Sequence, residues 1–143
     1  MHNPNLERFI KAQDQYYQTA LHEIRKGRKV THWMWYIFPQ LSGLGYSQTA
    51  KFYGIQSIQE AKEYLSHFVL GPRLIEISRE LLKIKETNAS SIMGSPDDLK
   101  LRSSMTLFAS LPGADIVFTE LLQKFYGGTM DHKTLELLQN HEI

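Results

Sequence analysis

The segment His32-Trp33-Met34-Trp35-Tyr36-Ile37-Phe38-Pro39-Gln40 constrains the fold of this chain more than any other. Four aromatic rings (Trp33, Trp35, Tyr36 and Phe38) fall within six positions. Only a chain able to bury large planar groups on several sides can carry them. In a helix, Trp33 and Trp35 point about 200° apart, so the two indoles cannot share a face. The segment is then either a core helix whose indole N–H groups find partners, or one wall of a pocket where a planar ligand stacks. His32, at its front, adds little alone, because a lone histidine beside apolar residues is more often structural than a ligand.

The rest of the chain can supply the surroundings. It has 143 residues, 42% apolar and 22% charged, enough for one globular core. Its 16 basic and 15 acidic residues nearly cancel. That balance disfavours a broad nucleic-acid stripe but leaves room for a small anion pocket. Cysteine is absent, so disulfides, thiolate nucleophiles and thiolate metal sites are excluded. The first residues lack a basic stretch followed by an apolar one, and no apolar run approaches the roughly 20 residues of a bilayer span. A cytoplasmic protein without a membrane role is expected.

Punctuation divides the chain into helices. Asn5 can cap a helix bearing Leu6, Phe9, Ile10, Gln13, Tyr17, Ala20, Leu21 and Ile24 on one face, with Gly27 closing it. Ser47 can open a short helix that ends at Gly54. Ser57 and Glu60 form a capping box. Gly71-Pro72 breaks the chain ahead of a stripe of Leu74, Ile77, Ser78, Leu81 and Leu82. Ser95 as cap and Pro96 at the first position open a helix running to about Ala109. Asp115 and Asp131 can cap two more. No strand alternation of useful length, linker or repeat is found. The expectation is an all-α fold, one domain over residues 1–143, of six to eight helices.

The helix from Asp97 carries apolar residues on opposite sides, with Leu101, Ser104, Met105 and Phe108 on one face and Leu99 on the other. It should be packed on several faces, and charges there should be paired, because breaking a buried ion pair costs about 3–5 kcal/mol. Asp98 and Arg102, four apart, can satisfy each other. Alternatively, Lys100, Arg102 and Ser103 turn toward a shared cleft and hold a phosphate or carboxylate. Arg73 can add to such a site or stand as a solvated charge. The run Arg25-Lys26-Gly27-Arg28-Lys29 reads as a basic helix end before a nucleic-acid contact.

Recognised motifs are absent: no Walker loop, dinucleotide fingerprint, nucleophile elbow, zinc-protease helix or calcium loop. The six histidines (2, 22, 32, 67, 132 and 141) are scattered, without metal-ligand spacing. No cofactor or metal is read from the sequence, and it names neither catalytic residues nor an oligomeric state.

Together, Thr31 to Leu41, Gly43-Leu44-Gly45, Tyr53-Gly54-Ile55, Leu70 to Leu74 and Asp97 to Phe108 resemble a bacterial domain-of-unknown-function family, number eighteen-ten. The resemblance runs from Leu6 to about Leu138 and implies a helical fold with no activity to carry over. Its members are sometimes labelled calpastatin. Calpastatin repeats are disordered inhibitors, whereas this composition is globular. A fainter similarity of pattern, from a tryptophan-bearing early segment and Arg102 to Met105 on a late helix, links it to helical domains that cleave N-glycosidic ADP-ribose conjugates.

The sequence thus supports a pocket built from His32, Trp33, Trp35, Lys100, Arg102 and Ser103, taking a nucleotide or sugar phosphate. The rival is a non-catalytic protein-interaction module using exposed aromatics and the basic Arg25–Lys29 end. The third reading is N-glycosidic hydrolysis.

Overall fold

The computed structural model describes residues 4–141. His2 and the first residues of the leader reading lie outside it, as does the side chain of His141. Among the described residues, nine α-helices follow a 3-10 turn at Pro4–Leu6, and six of the nine have seven residues or more. They are α1 (Glu7–Arg25), α2 (Met34–Ile37), α3 (Gln48–Tyr53), α4 (Ile58–Ser66), α5 (Leu70–Lys83), α6 (Ala89–Met93), α7 (Asp97–Ala109), α8 (Val117–Tyr126) and α9 (His132–His141). The only extended pairing described is a single parallel bridge between Leu41 and Ile55. The all-α expectation is met.

The helix starts show how local chemistry differs from a sequence rule. Ser47 and Ser57 cap as expected, accepting from the backbone N–H groups of Ala50 at 3.0 Å and Glu60 at 3.1 Å. Glu60 does not complete the box on Ser57: it accepts from Gln56 N at 3.0 Å and pairs with Arg8. Asn5 is not the cap of α1, which is entered through the 3-10 turn with Leu6 at the cap position. Ser95 does not cap α7 either. Pro96 occupies the cap position, and the backbone carbonyls of Gly94 and Pro96 accept from Asp98, Leu99 and Lys100 at 2.9, 3.0 and 3.1 Å. Gly71 and Pro72 lie inside the first turn of α5 instead of before it. A Cβ on Gly71 would stand 2.1 Å from the Leu65 carbonyl oxygen, so only glycine allows α5 to press against the end of α4.

One hydrophobic core joins these helices. At its centre α7 packs against α4, α6, α8 and α9, which is why it shows no single apolar face. Ser103 through Phe108 are buried without a break. Full burial of Phe108 alone stabilises by about 1.5–3 kcal/mol. Along the other side α1 lies on α2 and α5.

Polar clasps fix the outer helices. Arg8 donates to the carbonyls of Phe52 at 2.9 Å and Gly54 at 3.1 Å and pairs with Glu60 at 3.0 Å, joining the start of α1 to the α3–α4 connection. Lys124, on α8, donates to the carbonyls of Leu81, Leu82 and Ile84 and caps the end of α5. Burial pulls its ammonium below the ordinary lysine range. No helix among the described residues is long and apolar enough to cross a membrane.

Candidate functional site

The aromatic segment forms a single helical turn, α2, and its two tryptophans part ways. Trp33 precedes the turn with φ −130° and drives its ring into the core, leaving it 1% exposed. Its indole N–H donates to Glu23 Oε1 at 2.9 Å. Glu23, on the last turns of α1, also accepts from Val30 N at 2.8 Å, Thr31 N at 3.0 Å and Thr31 Oγ1 at 2.7 Å. Burial alone would raise this carboxyl, but the donors of Val30, Thr31 and Trp33 outweigh it and bring the pKa to about 2. Lys29 completes the knot. Its ammonium lies 2.6 Å from the Thr31 carbonyl, 2.8 Å from Asp97 Oδ2 and 4.8 Å from the centre of the Trp33 ring.

Trp35, on the next face of the segment, is half-buried and lines a cleft of about 250 Å³ with Lys29, His32, Met34, Pro96 and Lys100. Lys100, on the first turn of α7, holds its Nζ 5.6 Å from the centre of the Trp35 ring. That ammonium has one loose ion pair, to Asp97 Oδ1 at 3.7 Å, and its side chain is 30% exposed. A wider groove of about 490 Å³ opens on the other side of Pro96 and Lys100. Its walls are Gln40, Leu44 and Tyr46 from the loop before α3, Leu99 and Ser103 from α7, and Asp131 and Lys133 at the start of α9. Gly45 keeps that loop tight: a Cβ there would lie 2.6 Å from the Ala50 Cβ. Tyr46 is 88% exposed on the rim.

The fold therefore brings His32, Trp35, Lys100 and Ser103 to two adjoining clefts. Trp33 and Arg102 line neither. Arg102 turns toward α8 and α9, with its guanidinium 5.7 Å from the centre of the Tyr126 ring and 3.8 Å from Asp131 Oδ1. The expected Asp98–Arg102 pair does not form, and Asp98 Oδ1 and Arg102 Nε are both buried without a hydrogen-bond partner. Tyr126 is the reason, since it packs over Arg102 and donates its hydroxyl to the Asp98 carbonyl. Burial and the Asp98 charge push the Tyr126 hydroxyl well above the ordinary tyrosine range.

Arg73 is partly exposed and does not line the clefts. It lies against α1, 3.2 Å from Asp14 and 5.3 Å from the centre of the Tyr17 ring. The basic run after α1 is also divided, with Arg25 paired to Glu80 at 3.1 Å and Lys29 folded inward. Among the described residues no three His, Asp or Glu side chains are placed to hold a metal ion.

Sequence reasoning missed Tyr46 and Lys133. Neither belongs to an apolar period, and only the packing of α7 against α9 brings Lys133 near Lys100. Asp131 was legible as a helix cap, which it is, accepting from Thr134 N at 2.9 Å. Its place in the groove was not.

The sequence matches, over residues 3–138, the family described as "Protein of unknown function (DUF1810)". Among solved structures it is similar to the crystal structure of a conserved hypothetical protein from Mycobacterium tuberculosis. The two chains share 49% identity and a TM-score of 0.92, over 94% of this chain and 96% of that one. No curated protein matches.

Proposed function

The chain belongs to the DUF1810 family of proteins of unknown function, and from that premise we propose that it binds a small ligand bearing an anionic group, such as a nucleotide or sugar phosphate, between Trp35 and Lys100. The observation that carries this reading is the Lys100 ammonium, 5.6 Å from the centre of the Trp35 ring where the two clefts meet. Its one ion pair among the described residues, at 3.7 Å, is longer than a hydrogen bond. An approaching phosphate can replace that contact with a charge-assisted bond worth about 1.5–3 kcal/mol. Trp35 offers an apolar wall, and His32 and Ser103 flank it. Trp33 and Arg102 take no direct part.

Binding is favoured over hydrolysis of an N-glycosidic bond. A hydrolytic site needs a carboxylate free to accept a proton or steady a cation. Both oxygens of Asp97 already face lysines, at 2.8 Å and 3.7 Å, and Asp131, on the wider groove, is held by the α9 cap through Oδ2 with the Arg102 guanidinium 3.8 Å from Oδ1. The interaction-module reading keeps Arg25, Lys26 and Arg28 at the surface but loses Lys29, which is folded inward onto Asp97.

Thermal melting of the full chain with a series of nucleotides and sugar phosphates tests the proposal, with Lys100→Ala and Trp35→Ala alongside. A ligand at 100 times its Kd adds about 2.7 kcal/mol, which raises Tm by roughly 5–10 °C for a chain of this size. Lys100→Ala should abolish that rise. Lack of stabilisation by every anionic compound, or an undiminished rise in Lys100→Ala, would overturn the reading.

A further inference from the structure

Resting on the reading above, we propose that the wider groove is a polyol subsite, in which Asp131 accepts hydrogen bonds from the hydroxyl groups of a phosphorylated sugar or nucleotide whose phosphate meets Lys100.

The two oxygens of Asp131 do different things. Oδ2 is fully occupied in capping α9, accepting from Thr134 N at 2.9 Å and Thr134 Oγ1 at 2.6 Å. The Asp131 backbone N–H donates to Thr106 Oγ1 at 2.9 Å, fastening the residue to α7. The carboxylate is thus fixed in direction before any ligand arrives. Among the described residues Oδ1 accepts no hydrogen bond and faces only the Arg102 guanidinium, 3.8 Å away. A carboxylate held this way on a groove wall suits hydroxyl donors and repels a phosphate.

The neighbouring groups agree with that assignment. Ser103, on the same wall, spends its proton on the Leu99 carbonyl at 3.2 Å, which leaves its lone pairs to accept. Cations stand at the rim: Lys100 with its loose pair, and Lys133, whose nearest acid is Glu136 at 3.9 Å. The complement of acceptors on the wall and cations on the rim is a ligand with hydroxyl donors at one end and an anion at the other. Lys100, Ser103 and Thr106 follow at steps of three on α7, a rise of about 9 Å from first to last. Asp131 is tethered at the far end of that row. A phosphorylated pentose can bridge such a span. An aromatic carboxylate supplies no donor for Asp131.

Calorimetric titration of the full chain with AMP and with 2′,3′-dideoxy-AMP tests the assignment, on the wild type, Asp131→Asn and Lys100→Ala. Asn caps helices as well as Asp, and it replaces the carboxylate oxygen that is free of the cap with an amide donor. The wild type should bind AMP at least tenfold more tightly than the dideoxy compound. In Asp131→Asn the two should bind alike, at the dideoxy level. Lys100→Ala should weaken both by a similar factor. Equal wild-type affinity for the two nucleotides, with both still dependent on Lys100, overturns the polyol subsite and leaves the anion-binding reading standing. A preference that survives in Asp131→Asn does the same. If neither nucleotide binds the wild type, the anion-binding reading falls and takes the subsite with it. Should Asp131→Asn not fold, the wild-type comparison alone decides.

Discussion

Trp33 and Trp35 are two residues apart, yet they live in opposite electrostatic economies. Around Trp33, the indole N–H, the Glu23 carboxylate and the Lys29 ammonium all have close partners. Beside Trp35, Lys100 has one long ion pair, and in the adjoining groove Asp131 Oδ1 has no hydrogen bond. A saturated polar knot contributes stability and holds a loop in place, because an unpaired buried group would cost about 1–3 kcal/mol. An unsaturated cluster beside open space keeps that interaction energy for something not in the chain. The contrast teaches that aromatic content did not mark the site; the bonding left unmade around each ring did.

The sharpest way to break this contrast is to truncate each ring. Trp33→Ala should destabilise the protein by about 3–5 kcal/mol, and Trp35→Ala by about 1 kcal/mol, measured by denaturant unfolding. Comparable losses would erase the distinction between the two environments.

Acid titration probes the knot itself. The folded Glu23 pKa, about 2, lies below its ordinary value of 4.5. Its contribution, roughly 3 kcal/mol, is therefore fully present above pH 4.5 and is lost as pH falls toward 2. Glu23→Gln should lower stability at neutral pH and flatten its decline across that window. A decline as steep as in the wild type would show that other carboxylates govern acid unfolding.

The smallest effect belongs to the open side. Lys100→Ala should change unfolding stability by less than about 1 kcal/mol, as expected for a partly exposed ion pair, even though it should remove ligand stabilisation. A loss of several kcal/mol would recast Lys100 as a structural residue.

Much of the fold was legible because it is written in local rules. The 3, 4, 3, 4 spacing on α1 and the Ser57 cap concern neighbours within a turn or two. The crowded sides of the Asp97–Phe108 stretch also foretold a helix packed on several faces. The misplaced starts at Asn5 and Ser95 arose where backbone carbonyls or a 3-10 turn took the role assigned to a side chain. α6 escaped notice because its five residues are too few to show a period. At the site, His32 and Trp35 line one cleft and Ser103 the other, with Lys100 on both, where the sequence placed all four in a single pocket. Arg102 was placed with them only because helix spacing cannot reveal that Tyr126, from another helix, draws its guanidinium away. Tyr46, Lys133 and the groove-side role of Asp131 depend on tertiary placement alone.

The pairing of Gln40 and Ser42 with Ile55, at 2.8 Å and 2.7 Å, clasps the chain on either side of the loop that carries Tyr46. The clasp uses backbone atoms only, so it does not depend on which side chains lie between its ends. That leaves the exposed tip around Tyr46 free to vary, while Gly45, Tyr53 and Gly54 hold the rest of the enclosed stretch in place. The rim residues of that tip can diversify, retuning what the groove admits, while the Glu23–Trp33 knot and the α7 core are left undisturbed.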